Sequence, residues 1–299
     1  MGLTQFGNFH SFCRDSTLPV CNLFPQFGYA NLDRLQDGCR LTGFSLSGGE
    51  YVGNLGSAVI AAIAILVTIL LLLLSERKPA AVGRREIQLF LLTFMLTQIC
   101  EIFTVGMFPL NNTVRIIFTS VHLGSILSCA WILMLNAIVG FQLWEDGTFP
   151  SVGSLIVSAA ILCLGAVYIA LDTGLSWTGH FDSSLTSPNR NIGLYVLYLL
   201  LPWIFIFISF VLESILVLRV LGEIRPIFYL VIAALLFITG QLFNYVASIH
   251  ICNASSGKIN GALFKTFFTL LSVVMAWVFW SSITEDDWPS PDNTLPDIR

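Results

Sequence analysis

The chain has 299 residues, of which 56% are hydrophobic and only 11% are charged, and its formal net charge is −4. About a quarter of the residues in a soluble domain are charged, so this composition excludes an ordinary soluble fold. The balance is slightly acidic and the sequence has no basic tract, which excludes a nucleic-acid-binding protein. These features predict a protein embedded in a lipid bilayer.

Seven apolar stretches occupy most of the chain, and each is long enough to cross a bilayer. They cover residues 52–74, 87–108, 114–141, 152–171, 192–218, 226–249 and 261–283. Because backbone polar groups in lipid must be paired within the protein, stretches of this length predict helices rather than the shorter strands of a barrel. We therefore expect an all-α, polytopic membrane protein that folds as a seven-transmembrane-helix bundle.

These spans divide the chain into three expected segments. Residues 1–51 form an N-terminal segment, residues 52–283 form the seven-helix transmembrane domain, and residues 284–299 form an acidic tail. The first segment is too short for an independent hydrophobic core. It lacks the pattern of a cleaved signal peptide, so we expect the first span to direct membrane insertion.

Basic residues near the ends of the spans predict the orientation in the membrane. The strongest cluster lies in the loop between the first and second spans and consists of Arg77, Lys78, Arg84 and Arg85. Loops on the cytosolic side of a membrane carry an excess of Lys and Arg. We therefore expect a lumenal N-terminus and a cytosolic C-terminus.

The cysteines outside the spans all fall on the predicted lumenal side, and they are Cys13, Cys21, Cys39 and Cys252. An even number of cysteines in an oxidising compartment favours at least one disulfide, with free thiols as the alternative. Four cysteines permit three pairings. Nearness in sequence suggests Cys13 with Cys21, which leaves Cys39 with Cys252.

Polar side chains inside the spans mark two places where helices could be joined. At a rise of about 1.5 Å per residue, Glu101 and His122 both lie roughly 10 Å from the lumenal ends of neighbouring spans. We interpret them as a polar clasp between two helices, which predicts that Glu101→Gln is tolerated; a proton relay or ligand site is the alternative. Asn136 and Glu213 share a depth nearer the cytosolic side and suggest a second clasp.

The sequence contains no set of residues typical of catalysis or of cofactor or metal binding. A membrane zinc hydrolase needs several converging His and Asp residues, whereas the four histidines are distant from one another in sequence: His10, His122, His180 and His250. Lys265 lies only about 6 Å from the end of the last span, which excludes a retinal protein. We therefore expect no enzyme activity and no cofactor.

Five short segments, in order along nearly the whole chain, resemble the fungal chitin synthase export chaperone family. They are residues 12–21 (FCRDSTLPVC), 81–87 (AVGRREI), 141–148 (FQLWEDGT), 240–252 (GQLFNYVASIHIC) and 284–288 (TEDDW). The loop after the second span, FPLNN at residues 108–112, is shorter than this resemblance would lead us to expect.

The resemblance implies a multi-pass endoplasmic reticulum protein that binds a chitin synthase and permits its export to the cell surface. The candidate client-binding residues are Arg84, Arg85, Trp144, Glu145 and Asp146. The tail offers a candidate export signal for vesicle coat machinery, at Glu285, Asp286 and Asp287. Seven helices also occur in receptors and small-ligand transporters, and that class is the alternative function.

Overall fold

The computed structural model describes residues 6–24, 41–45, 51–108, 110–142, 146–181 and 190–284. A short helix, α1 (His10–Asp15), precedes seven helices that are long and apolar enough to cross a membrane. The seven are α2 (Leu55–Glu76), α3 (Arg84–Thr104), α4 (Asn112–Val139), α5 (Phe149–Leu175), α6 (Ile192–Leu221), α7 (Arg225–Ala254) and α8 (Gly261–Ser282). The prediction of an all-α bundle with seven spans is confirmed.

Helix α4 lies at the centre of the bundle and packs against α3, α5 and α6. Its Leu127 and Ile132 are 0% and 1% exposed, as expected for residues in the middle of a closely packed interior. Close approach to α5 depends on Gly124, because a Cβ at this position would lie 2.9 Å from Cys163 Sγ. A second group of helices forms around α8, which packs against α2 and α7.

Residues 6–24 cover one end of the bundle, the end at which α2, α4, α6 and α8 begin; we call it the N-terminal face and the opposite end the C-terminal face. This segment contains α1 and a 3-10 turn, Pro19–Leu23. The buried apolar side chains of this segment contact Ile116 of α4, Ala170 of α5 and Leu194 of α6. These side chains of the segment are Phe9, Leu18, Val20, Leu23 and Phe24. The segment is therefore part of the core rather than a separate domain.

A two-stranded antiparallel hairpin lies just before the first span. Strand β1 (Phe44–Ser45) pairs with β2 (Tyr51–Val52), with Phe44 opposite Val52. The hairpin leads into α2, whose first turn is capped by Asn54, since the Asn54 side chain accepts a hydrogen bond from Ser57 N.

Helices α6 and α7 are less regular than the other spans. Helix α6 contains two π-helical segments, Tyr195–Leu200 and Leu216–Leu221, and α7 contains one, Phe243–Ala247. Such segments are uncommon and often accompany functional sites. The two helices approach each other closely at few positions, because α6 packs mainly on α4 and α7 packs mainly on α8.

Candidate functional site

A buried charged cluster joins three helices in the half of the bundle nearer the N-terminal face. Lys265 Nζ of α8 donates hydrogen bonds to both carboxylate oxygens of Glu101, at 3.0 and 2.9 Å. Thr266 Oγ1 donates to the same carboxylate at 3.2 Å, and His122 Nε2 of α4 lies 3.2 Å from Glu101 Oε2. Glu101 and His122 are both 0% exposed.

The cluster contains the pair of residues that the sequence predicted in this region and further partners that it did not. Glu101 and His122 are brought together as expected, and the other ring nitrogen of His122 lies 2.8 Å from Thr104 Oγ1. Lys265 was not predicted as a partner, although it has the opposite charge and lies four residues inside α8. Because the carboxylate has a fixed cationic partner and further polar neighbours, its surroundings favour a structural clasp of α3, α4 and α8.

A cavity of about 230 Å³ lies inside the bundle beside this cluster. It is lined by side chains of α3, α4, α6, α7 and α8, and it extends between α6 and α7. Trp203 of α6 and Phe237 of α7 both line it, and their rings meet edge to face with centroids 5.4 Å apart. Trp203 is also 39% exposed, so it lies between the cavity and the outer surface of the bundle.

Several polar side chains that line this cavity lack hydrogen-bond partners among the described residues. The unpartnered buried atoms are Gln98 Oε1, Glu213 Oε2, Asn244 Oδ1 and Thr269 Oγ1. They come from four different helices and line a space enclosed mostly by apolar groups. A buried polar atom without a partner is costly, and in a native structure such an atom calls for an explanation.

The proposed second clasp between Asn136 and Glu213 is not formed as a direct contact. Both residues line the cavity, but no hydrogen bond joins them in the described part of the chain. Asn136 lies instead at the C-terminal end of α4, with its Oδ1 close to the backbone of Gly83. The predicted clasp between these two side chains is therefore absent from the described part of the chain.

The short loops of the C-terminal face are tied together by two carboxylates. Asp146 Oδ2 accepts a hydrogen bond of 2.9 Å from Gly83 N, just before α3. Glu86, in the first turn of α3, accepts bonds from Gly147 N and Ser151 Oγ at 3.0 and 2.9 Å. The loop between α2 and α3 is therefore fixed to the loop between α4 and α5.

These contacts change the interpretation of the candidate client-binding residues. Asp146 makes an internal contact, while Trp144 and Glu145 lie outside the described residues. Arg85 is exposed and binds Glu76 Oε1 at 2.9 Å and Gln88 Oε1 at 3.0 Å. Arg84 is half-buried at the start of α3. The candidate export signal, Glu285 to Asp287, lies outside the described residues.

The structure joins Cys13 at α1 to Cys21 in the 3-10 turn by a disulfide with an S–S distance of 2.02 Å. Cys252 is also disulfide-bonded, and its expected partner Cys39 lies outside the described residues. The cysteines with free thiols lie within the spans and are Cys100, Cys129 and Cys163. The described chain contains no group of three His, Cys, Asp or Glu side chains that could hold a metal ion.

These features define the class of the protein as a polytopic helical membrane protein with a buried charged cluster and a mostly apolar cavity, lined by a few polar side chains, among its spans. The chain belongs to the chitin synthase export chaperone family, whose pattern it matches over residues 5–293. This confirms the resemblance seen in its short segments. The family name implies a protein that is not itself a catalyst.

Curated relatives from fungi support the same assignment. The chain is 31% identical to a chitin synthase export chaperone of Coccidioides immitis, over 95% of this chain and 84% of the relative. It is also 31% identical to proteins of that name from Aspergillus fumigatus and Cryptococcus neoformans, covering 94% and 95% of this chain and 84% and 76% of the relatives. No solved structure shows a significant match.

Proposed function

We propose that this protein is a membrane chaperone that binds a chitin synthase in the endoplasmic reticulum and permits its export to the cell surface. The observation that carries the proposal is the family match over residues 5–293, together with fungal relatives named for this role. The protein would support chitin synthesis in the cell wall without making chitin itself. Its role is to bring the chitin synthase to its correct location.

The physical basis of the proposal is the polar surface that a chitin synthase must carry in the membrane. An enzyme that passes a polymer across a bilayer needs polar groups in its spans, and such groups are costly in lipid until they are paired. A bundle that offers matching polar groups at membrane depth could cover them during export. The cavity between α6 and α7 presents groups of that kind.

The orientation is part of the proposal, with the N-terminal face lumenal and the C-terminal face cytosolic. The four basic residues of the first loop and the position of Cys13, Cys21 and Cys252 away from that loop support it. An epitope tag at the N-terminus should survive protease in sealed microsomes, while a tag after Arg299 should be removed. The reverse pattern would contradict the proposed orientation and the lumenal disulfides with it.

The cytosolic part of the client-binding surface is proposed to include Arg84, Arg85, Trp144 and Glu145. Replacing Trp144 and Glu145 together with alanine should reduce the chitin synthase that co-purifies in mild detergent, at unchanged abundance of the chaperone. Asp146→Ala should instead lower abundance, because it removes the acceptor for Gly83 N.

The matched control for this experiment is Trp177→Ala, because Trp177 is 68% exposed and lies at the opposite face of the bundle. Its co-purification should equal that of the unmodified protein. Full capture of the synthase by the Trp144 and Glu145 variant would remove this loop from the binding surface. If the unmodified protein captures no glycosyltransferase, the chaperone proposal fails and a receptor or transporter becomes the better explanation.

The tail is proposed to act in the same process. Glu285, Asp286 and Asp287 form an acidic run directly after the last span, where a cytosolic vesicle coat could read it. Its closeness in sequence to the last span supports this role.

A further inference from the structure

We propose that the acidic run of the tail, residues 285–287, docks on a basic surface at the C-terminal face of the same chain. This basic surface consists of Arg77, Lys78 and Arg84, which lie between the end of α2 and the start of α3. The proposal rests on the chaperone function above and adds a means of regulating it. The tail and the client synthase compete for Arg84, so the export signal stays covered until a client binds.

The last turn of α8 is fixed beside the basic surface. Trp280 Nε1 donates a hydrogen bond of 2.9 Å to Val82 O, and Lys78 Nζ donates one of 3.2 Å to Ser281 O. Val82 and Lys78 both belong to the loop between α2 and α3, so the two bonds hold the end of α8 against this loop. The tail therefore leaves the bundle beside the basic surface.

The acidic run begins within reach of that surface. It directly follows Thr284, the last described residue of the chain. An extended chain covers at most about 3.6 Å per residue, so the backbone of Glu285 lies within roughly 14 Å of that of Ser281, whose carbonyl oxygen binds Lys78. Ile283 packs on a buried apolar cluster of α6, α7 and α8 and keeps the start of this stretch at the bundle. A connection this short gives the acidic run a high effective concentration at the basic surface.

The charges at the C-terminal face favour an acidic occupant. Arg77 is exposed and Arg84 is half-buried, and neither has an ion pair within the described part of the chain. Glu76 pairs with Arg85 instead, at 2.9 Å. The two carboxylates that tie the loops together accept hydrogen bonds from backbone N–H groups and a hydroxyl. Three successive carboxylates in the tail complement the uncompensated arginines, and guanidinium groups bind carboxylates well.

Competition for Arg84 couples the capture of a client to its export. Without a client, the acidic run lies on the basic surface, and a vesicle coat has no access to it. Exposed ion pairs are weak, so a synthase that binds Arg84 can displace the run. The displaced run is then open to the coat. Anionic lipid headgroups are the other occupants that such a surface attracts, but they lack the tail's covalent connection to it.

Proteolysis of the purified full chain in detergent, with no synthase present, tests the docking. Replacing Arg77 and Arg84 together with glutamate should increase the rate of cleavage after Glu285 by a Glu-specific protease about threefold, since the tail is then free all the time rather than about a third of it. Lys258→Glu makes the same kind of charge change at an exposed position on the opposite face and is the control. Equal cleavage of all three proteins would overturn the inference and leave the basic surface to lipid or to the client.

A reciprocal exchange of charges shows whether the contact is direct. Replacing Asp286 and Asp287 with lysine should also speed cleavage after Glu285, because these side chains then repel the basic surface. Combining these lysines with glutamate at positions 77 and 84 should restore slow cleavage, since opposite charges face each other again. A combined variant that is cleaved as fast as the variant with lysines alone would contradict the pairing.

Co-purification with a chitin synthase tests the competition separately. The variant with lysine in place of Asp286 and Asp287 should capture about threefold more synthase at limiting concentration, because the docked tail no longer occupies Arg84. Lysine in place of Asp292 and Asp297, farther along the tail, is the matched control. Unchanged capture would overturn the competition. If no form of the chain captures a synthase, the chaperone function fails, whereas docking measured on the purified protein does not depend on it.

Discussion

Replacing Glu101 with leucine is expected to destabilise the bundle by about 3 to 5 kcal/mol, the cost of leaving a buried cation without its partner. Lys265 would lose both of its bonds to the carboxylate, and His122 would lose its contact at 3.2 Å. The steady-state level of the protein and its melting temperature in detergent should both fall. Wild-type values of both would show that the cluster does not hold α3, α4 and α8 together.

The conservative variant refines this prediction. Glu101→Gln retains an acceptor for Lys265 but lacks the negative charge, so it should be destabilised less than Glu101→Leu but clearly more than the unmodified protein. The sequence alone predicted tolerance of this change, because Lys265 was not recognised as the partner. Adding Lys265→Met to Glu101→Gln should recover part of the loss, since neither charge then remains unpaired. Lys258→Met, at an exposed position, is the control.

Replacing Asp172 with alanine is expected to release the loop between α5 and α6. The Asp172 carboxylate accepts backbone hydrogen bonds from Thr178 N, from Gly179 N at 3.0 Å and from Phe181 N at 2.6 Å. Loss of this acceptor leaves three donors unpaired at the N-terminal face, so abundance should fall several-fold and the loop should become sensitive to protease.

Asp172→Asn retains one acceptor oxygen. Its abundance and the protease sensitivity of its loop should lie between those of the unmodified protein and those of Asp172→Ala. Asp15→Ala is the control, because the Asp15 carboxylate pairs at the surface with its neighbour in sequence, Arg14, at 2.7 Å. An Asp172→Ala protein with normal abundance and a protease-resistant loop would show that the carboxylate does not hold this connection.

The sequence predicted the spans well because the length and apolar character of a membrane helix are local properties. It did not predict how far α6 and α7 extend, to Leu221 and Ala254, since both end beyond the apolar stretches expected for them. Their π-helical segments were not predicted either. The cavity could not be predicted either, because it depends on which helices pair.

Contacts between polar side chains could be predicted only where the depth of the two residues in the membrane is enough to bring them together. Glu101 and His122 lie on adjacent antiparallel spans joined by a short loop, so equal depth nearly ensures that they meet. Asn136 and Glu213 lie on α4 and α6, and there the rotation of each helix decides the contact. Lys265 could have been found from its charge and its depth, which is close to that of Glu101. The contact of Asp146 could not be predicted from charge and depth, because its partner is a backbone N–H.

The location of the chitin synthase in cells that lack this protein tests the central claim most directly. A fluorescently tagged synthase should be made in normal amount but remain in the endoplasmic reticulum of a deletion strain, with reduced chitin at the surface. Other secretory cargo should travel normally, and restoring the full chain should return the synthase to the surface. Normal delivery of the synthase in the deletion strain would contradict the account.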